Sequence, residues 1–235
     1  PFQNHLHHLP LKIFLECFWG IIKLKKNKKT KNFLDYINRF MGKGVGKYFM
    51  IPYNRKVWAY PLSQIGIGWI AERVSNISPT NVLINLFLNS STNWGPNNRF
   101  IYPKFGTGSL WSSIAKKVGS KFITFKKTVK TIDTQKKLII LETGEKINYD
   151  LLISTMPLDQ LVKKLVKKPV NIEHASKNLF HTSVSFYGFG IKNLKKTDMS
   201  WVYYPQEDIS FYRATYLSNY SMFLTPKRTL SSILV

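Results

Sequence analysis

The spacing of apolar residues predicts helices in the first part of the chain. Apolar side chains recur at helical intervals over residues 10–24, after Pro10, and on one face of a segment that begins at Asn32. Asn32 belongs to the residue types that cap helix N-termini, and the glycines of 42–46 are expected to end this second helix. A third helical pattern covers 109–118, before a glycine.

Between these helices the pattern is less regular. Prolines at 52 and 61 bracket residues 47–62, which we expect to be extended. Residues 64–74 are predicted to form a short helix. The apolar run 81–90 fits either a helix or a strand, because periodicity does not separate the two in so short a run.

Alternating residues predict strands in the last part of the chain. A strand pair is expected within 122–141, and a buried apolar strand over 150–157. Strands with alternating aromatic residues are expected at 182–191, 200–205 and 211–221. The predicted fold class is therefore α+β, with a helical bundle followed by a mixed or antiparallel sheet.

The net charge of +23, from 35 Lys and Arg against 12 Asp and Glu, indicates an anionic partner. Most of the excess is lysine spread along the chain, which indicates a compositional bias, and we expect no nucleic-acid partner. The apolar run near the N-terminus is interrupted by Lys12 and Glu16 and is too short to span a bilayer.

Candidate metal ligands are few. The single cysteine, Cys17, excludes an internal disulfide and a multi-cysteine metal site, and it favours a reducing, cytoplasmic compartment. His5, His7 and His8 have no acidic or cysteine partner close by in the sequence. We therefore expect no metal.

Two glycines, Gly106 and Gly108, flank Thr107 where the third helix begins. Such a turn can bring backbone N–H groups close to a phosphate, but taken alone the pair is better explained as a plain turn before a helix. The chain contains no G-x-G-x-x-G that opens a strand–helix unit, and the glycines of 42–46 do not form that motif.

Six stretches, taken in order, resemble the eukaryotic-type UDP-galactopyranose mutase family and, more broadly, the FAD-dependent amine-oxidase-like proteins. The resemblance covers residues 1–221. The stretches are PFQNHLHHLP, NFLDYINRFMGKGVGKYFMIPYNRKVWAYP, AERV, WGPNNRFIYPKFGTGSLW, YDLLISTMPLDQL and FYRATYLSNYS.

The resemblance implies an internal fragment of an α/β flavoprotein, with an incomplete Rossmann-like FAD-binding domain. The N-terminal G-x-G-x-x-G and a C-terminal flavin segment would lie outside it, so we expect the chain alone not to bind FAD tightly. The implied regions are a helical substrate-side region at 1–50, an extended segment and helix at 51–96, part of the FAD-binding domain with a β-hairpin at 97–157, and a substrate-side antiparallel sheet and tail at 158–235.

The resemblance also implies an isomerase chemistry. Family members interconvert the pyranose and furanose forms of a UDP-sugar for cell-wall and glycan biosynthesis, using reduced FAD as nucleophile and NAD(P)H as its reductant. The expected partner is thus a UDP-sugar in the cytoplasm, without a membrane span, and oligomerisation stays open.

Residues that match the family's motifs are expected to form the site. Arg213 and Tyr203 match residues that contact the diphosphate in catalysis, and a guanidinium suits bidentate phosphate contact. Uridine recognition is expected at Phe2, Gln3, Asn32 and Tyr36. The glycine-rich turn beside the flavin is expected at Gly106, Thr107, Gly108 and Ser109, where Phe105 and Ser109 depart from the family's GGTGG form.

One departure concerns the diphosphate. Ile51 stands where the mutases carry an arginine, and Arg55, four residues along an extended segment, is not expected to reach the same place. Three hypotheses follow. Arg213 and the basic charge favour the mutase, Ile51 favours an amine-oxidase-type oxidoreductase with an apolar or amine substrate, and the absent nucleotide motif favours a non-catalytic truncated fragment.

Overall fold

The computed structural model describes residues 6–24, 29–70, 100–192, 197–225 and 231–235. The predictions for Phe2 and Gln3, and those for 71–74 and 81–90, lie outside these residues. The described residues form helices and two antiparallel sheets, which confirms the α+β class.

The helices and strands of the described ranges are numbered in chain order. The α-helices are α1 (Leu11–Ile22), α2 (Phe33–Phe40), α3 (Gly42–Val45), α4 (Ile51–Trp58), α5 (Thr107–Val118), α6 (Leu158–Lys164) and α7 (Val170–Ser176). A π-helix covers Gly46–Met50, and 3-10 helices cover Leu6–His8, Leu62–Gln64, Ser120–Phe122, Leu217–Asn219 and Met222–Leu224. The strands are β1 (Val129–Asp133), β2 (Leu138–Leu141), β3 (Lys146–Asn148), β4 (Gly188–Ile191), β5 (Trp201–Tyr203), β6 (Arg213–Tyr216) and β7 (Ser231–Leu234).

The chain divides into two compact units. The first unit comprises Pro1–Thr107 and Phe186–Val235, and the second comprises Gly108–Ser185. The four functional regions expected from the sequence stay a prediction, because this division follows packing and not the ligand that each region contacts.

The first two helices form as their sequences predict. The side-chain oxygen of Asn32 accepts a hydrogen bond from the backbone N–H of Asp35 at 2.9 Å, which caps α2. Phe33 and Ile37 are fully buried on one face of this helix. Gly42, with a φ of +79°, ends α2 as expected, and α3 begins at the same residue.

Part of the core lies where α1 packs against α3. Cys17, Ile21 and Val45 are buried there, with Leu6 and Met41 beside them. The burial raises the pKa of the Cys17 thiol to about 11. Gly44 makes the close packing feasible, since a Cβ at this residue would lie 2.5 Å from the Cα and N of Cys17.

A second cluster surrounds the buried face of α2. Phe33 and Ile37 pack there with Leu62 and Ile70. The ring of Phe33 meets that of Trp69 edge-on, with centroids 5.1 Å apart. These apolar contacts fix the segment after α4 against α2, because burial of each large side chain contributes on the order of 2 kcal/mol.

The prediction of an extended segment at 47–62 is wrong. The chain stays helical through the π-helix and α4, as far as Trp58. Pro52 lies in the first turn of α4, directly after the π-helix, where the N–H of Ile51 bonds to the carbonyl oxygen of Gly46 and the regular i→i−4 pattern is already interrupted. The predicted helix at 64–74 is also wrong for residues 65–70, which have no regular structure.

The two sheets confirm several predicted strands. In the first unit the strand order is β4-β7-β6-β5, with antiparallel neighbours. In the second unit β1, β2 and β3 form an antiparallel meander, and β1 and β2 lie inside the predicted strand pair. Ile132 and Leu141 are the buried residues of these strands.

Other apolar segments of the second unit are exposed. Residues 150–157 form no strand, and Leu151 and Ile153 are each 81% exposed, so the predicted buried strand is wrong. The predicted helix at 109–118 is present as α5, yet it buries none of its residues. An apolar pattern thus predicted the helix without predicting its burial.

The longest α-helices of the described ranges, α1 and α5, each have 12 residues. None of the helices in these ranges has both the length and the apolar character needed to cross a bilayer.

Replacing Gly44 with Ala should destabilise the first unit. The added Cβ meets backbone atoms of Cys17 and Glu16, which cannot turn aside as a side chain can. We expect a loss of about 3 kcal/mol in the free energy of unfolding, the upper end for overpacking. Urea unfolding followed by circular dichroism measures it.

Gly66→Ala is the matched control, because a Cβ at Gly66 meets nothing within 4 Å. Its expected effect is below about 1 kcal/mol. Equal losses in the two variants would contradict the close packing of α1 on α3.

Candidate functional site

The centre of the candidate site is a pair of facing residues on two neighbouring strands. Tyr203 on β5 lies directly opposite Arg213 on β6 in the antiparallel register. Directly paired residues point to the same face of a sheet, so the phenol and the guanidinium share one surface. Ala214 and Thr215, which follow Arg213, are buried and anchor β6.

Helix α4 borders this pair with aromatic rings. The ring of Tyr53 meets the ring of Tyr203 at 4.9 Å and that of Tyr212 at 6.2 Å, both edge-on. Phe49 stacks on Tyr53 at 5.3 Å with an interplanar angle of 3°. These contacts hold the Tyr53 side chain against the hairpin.

Three tyrosine hydroxyls lie close enough to Arg213 for its charge to act on their pKa. Burial raises the pKa of Tyr53, of Tyr203 and of Tyr220, and in each the positive charge of Arg213 opposes the rise. The neighbouring Tyr102 also contributes to the raised pKa of Tyr220. The three phenols therefore stay neutral near pH 7, as hydrogen-bond donors beside a permanent cation.

No carboxylate of the described residues neutralises Arg213. The ion pairs of the described residues lie elsewhere and join Lys47 to Glu16, Lys127 to Glu145, and Lys163 and His181 to Asp159. A half-buried guanidinium surrounded by neutral hydroxyl donors suits a ligand with two or more negative oxygens. A diphosphate is one ligand with this chemistry.

Sequence patterns alone did not identify Tyr53, Tyr102 and Tyr220 as members of this site. The sequence predicts an extended segment around Tyr53, whereas in α4 its ring meets the rings of Tyr203 and Tyr212. Tyr220 lies after β6, and its ring meets Tyr102 at 5.1 Å. Only the fold brings Tyr53 and Tyr220 within reach of the charge of Arg213, although the high tyrosine content of 211–220 is a signal in the sequence.

The residues predicted for uridine recognition have structural roles in α2. Asn32 caps the helix with its side-chain oxygen. Tyr36, one turn later, packs its ring against those of Phe33 and Phe40. Burial raises the pKa of Tyr36. Uridine binding by Asn32 and Tyr36 stays a prediction, and Phe2 and Gln3 lie outside the described residues.

The glycine turn has the conformation that its sequence requires. Gly106 has a φ of +84°, and its N–H donates to the carbonyl oxygen of Pro103 at 2.9 Å. A Cβ at Gly106 would lie 3.0 Å from the Leu224 side chain, whereas at Gly108 it would meet nothing within 4 Å. The backbone at Gly108 is therefore accessible in the first turn of α5, which fits a planar ring in contact with it.

Ile51 and Arg55 lie on the same side of α4. They are one helical turn apart, and both line a recess of about 450 Å³. The expectation that Arg55 could not reach the region of Ile51 is therefore wrong, because it assumed an extended chain. Tyr53 lies between them in sequence, about 200° around the helix from each, so both project away from the Tyr53 ring.

Metal-binding residues do not cluster in the described ranges. Nowhere in them do three or more His, Cys, Asp or Glu side chains come together. His5 lies outside the described residues.

A family model connects the fold to known proteins. The flavin containing amine oxidoreductase model matches residues 8–189. This match covers more than half of the chain, and it confirms the broader resemblance and the expectation of a flavin cofactor.

Solved structures extend the comparison. A reduced UDP-galactopyranose mutase is 31% identical with a TM-score of 0.90, over 100% of this chain and 53% of the mutase chain. A protein from Pyrococcus furiosus is 12% identical with a TM-score of 0.56, which supports the fold alone. The chain spans about half the length of each of these two structures.

Replacing Tyr53 with Phe should change stability only in alkali. The pKa of Tyr53 is raised above its ordinary value of 10.0 in the folded state. Its contribution to the free energy of unfolding is therefore full below about pH 10, and it is lost as the pH rises from there toward the folded-state pKa. We expect the parent to lose about 1 kcal/mol more than Tyr53→Phe by pH 11.

Urea unfolding at pH 8 to 11 measures this difference. Tyr187→Phe is the control, because Tyr187 is 64% exposed. This variant should lose as much unfolding free energy between pH 8 and pH 11 as the parent does. The same alkaline loss in Tyr53→Phe and in the parent would contradict the burial of the Tyr53 hydroxyl.

Proposed function

The chain belongs to the flavin containing amine oxidoreductase family, and on that premise we propose that it contributes the nucleotide-sugar site of an FAD-dependent mutase. The reaction would interconvert the pyranose and furanose forms of a UDP-sugar. The match to a mutase structure at 31% identity supports this proposal. The whole protein's activity is part of the proposal, because the chain spans 53% of that mutase.

The Arg213 guanidinium beside neutral tyrosines is the observation that carries the proposal. A diphosphate brings two negative groups, and a guanidinium can bind its oxygens in a bidentate manner. Tyr53, Tyr203 and Tyr220 supply neutral hydroxyl donors around it. Such donors add hydrogen bonds without adding charge that would repel the anion.

The residues of this site would act on the leaving group. Reduced FAD, when bound, would supply a nucleophile for the anomeric carbon of the sugar. Arg213 would stabilise the negative charge that develops on the departing diphosphate. Tyr203, directly across from Arg213, would orient the diphosphate, so that UDP stays in place and can be returned to the sugar after ring closure.

The turn at Gly106, Thr107, Gly108 and Ser109 would hold the flavin. The open side of Gly108 allows a flat ring to approach the backbone in the first turn of α5. The ring of Phe105, which departs from the family's form, packs edge-on against that of Phe223 at 5.2 Å.

An amine-oxidase-type oxidoreductase is the second candidate. The family model and Ile51, which belongs to the apolar surroundings of α2, favour it. A protonated amine substrate would meet an uncompensated positive charge at Arg213, and like charges at short range repel. The local charge therefore favours the nucleotide sugar.

Arg213→Ala should weaken UDP binding by roughly 2–4 kcal/mol, which is on the order of 30- to 1000-fold in Kd. Arg213→Lys should recover only part of this loss, because an ammonium does not reproduce the planar fork of donors. Isothermal titration with UDP measures both.

Arg55→Ala is the charge-matched control. Arg55 is exposed and projects from α4 away from Tyr53, so UDP affinity should stay within about twofold, or roughly 0.4 kcal/mol. A Kd for UDP in Arg213→Ala within twofold of the parent value would remove the main support for the nucleotide-sugar site. An equal loss in Arg55→Ala would show a general charge effect instead.

A further inference from the structure

The ammonium of Lys56 lies inside a ring of backbone carbonyl oxygens. Its Nζ donates to the carbonyl oxygens of Tyr204 at 3.0 Å, Ile209 at 2.6 Å and Phe211 at 3.3 Å, and also to that of Gln206. An ammonium has three N–H donors, so four acceptors use its full capacity and share one donor.

These carbonyls all belong to the loop between β5 and β6, residues 204–212. The loop closes with a hydrogen bond from the N–H of Tyr204 to the carbonyl oxygen of Tyr212 at 2.9 Å, and Ile209 donates to Gln206 at 3.3 Å. Tyr203 precedes this loop and Arg213 follows it. The two residues of the proposed diphosphate site are therefore the ends of the segment that Lys56 binds.

Four carbonyl oxygens that point to one place repel each other unless a cation or donors lie between them. Charge-assisted hydrogen bonds are about twice as strong as neutral ones, so the ammonium holds this loop more firmly than water would. Without it, the carbonyls would turn outward to solvent, and the ends of the loop would shift with them.

Helix α4 thus binds the hairpin at two points. Tyr53 and Lys56 are three residues apart, which places them on the same side of the helix. Tyr53 contacts the rings of Tyr203 and Tyr212, while Lys56 reaches the interior of the loop. The donors of the Lys56 ammonium are used by backbone carbonyl oxygens, so none is left over for a ligand.

We propose that Lys56 is a positioning residue that orients Arg213 and Tyr203 through the 204–212 loop, without touching the ligand. The proposal rests on the proposed function, in which Arg213 binds the diphosphate. It adds a residue on another element whose role is to fix the geometry of the β5–β6 hairpin.

The first test measures the loop itself and needs no ligand. Lys56→Met keeps the length of the side chain and removes its donors and charge. In hydrogen–deuterium exchange, amides of 204–213 should exchange at least about tenfold faster, while those of Leu11–Ile22 keep the parent rate. Lys56→Arg, which keeps the charge, should give an intermediate exchange rate. The control Lys43→Met replaces an exposed lysine of α3 and should leave the exchange rate of 204–213 as in the parent.

The second test measures UDP binding by calorimetry. Lys56→Met should weaken binding about tenfold, and Lys43→Met, which removes the same charge, less than twofold. In an Arg213→Ala background, Lys56→Met should change the Kd by less than twofold, since a residue that acts through Arg213 has no effect without it.

The outcomes separate the two proposals. Unchanged exchange in the loop of Lys56→Met, or a tenfold effect that persists without Arg213, would overturn the positioning role. If Arg213→Ala itself leaves UDP binding unchanged, the proposed function fails, while the exchange rates still decide whether Lys56 fixes the loop.

Discussion

The contact between α4 and the β5–β6 hairpin is the constraint on which the site depends. The hairpin pairs Tyr203 with Arg213, but its long connecting loop has few hydrogen bonds of its own. Tyr53 packs against the strands and Lys56 binds the carbonyls of the loop, and both come from a single helix. A guanidinium on a hairpin held in this way can bind an anion with little loss of side-chain entropy on binding.

The electrostatics of the site follow from that contact. Packing removes the phenols from water, which keeps them neutral, and the same packing leaves Arg213 without a carboxylate among the described residues. A half-buried cation without a carboxylate loses part of its hydration, and such groups are frequent where a ligand supplies the opposite charge. The arrangement is typical of a binding site and contributes little to stability.

Local patterns predicted the elements whose signals are local. The cap at Asn32, the apolar faces of α1 and α2, and the pairing of β1 with β2 follow from short stretches of sequence. The helical course of 46–58 did not, because Pro52 was interpreted as a breaker although it lies in a first turn. The strand prediction for 150–157 is wrong for another reason: its apolar residues match a buried strand, yet no neighbouring strand pairs with it among the described residues.

The site is only partly predictable from the sequence. Resemblance to a family identifies Arg213 and Tyr203, whereas Tyr53, Tyr220 and Lys56 join the site only through contacts between residues distant in sequence.

A structure of the chain with UDP tests the central claim most directly. Crystals grown or soaked with UDP should show the diphosphate in contact with the Arg213 guanidinium and within hydrogen-bonding distance of the Tyr203 hydroxyl, about 2.5–3.0 Å. The loop 204–212 should keep its bonds to Lys56 in that complex. UDP bound elsewhere, with the Arg213 guanidinium in solvent, would contradict the account.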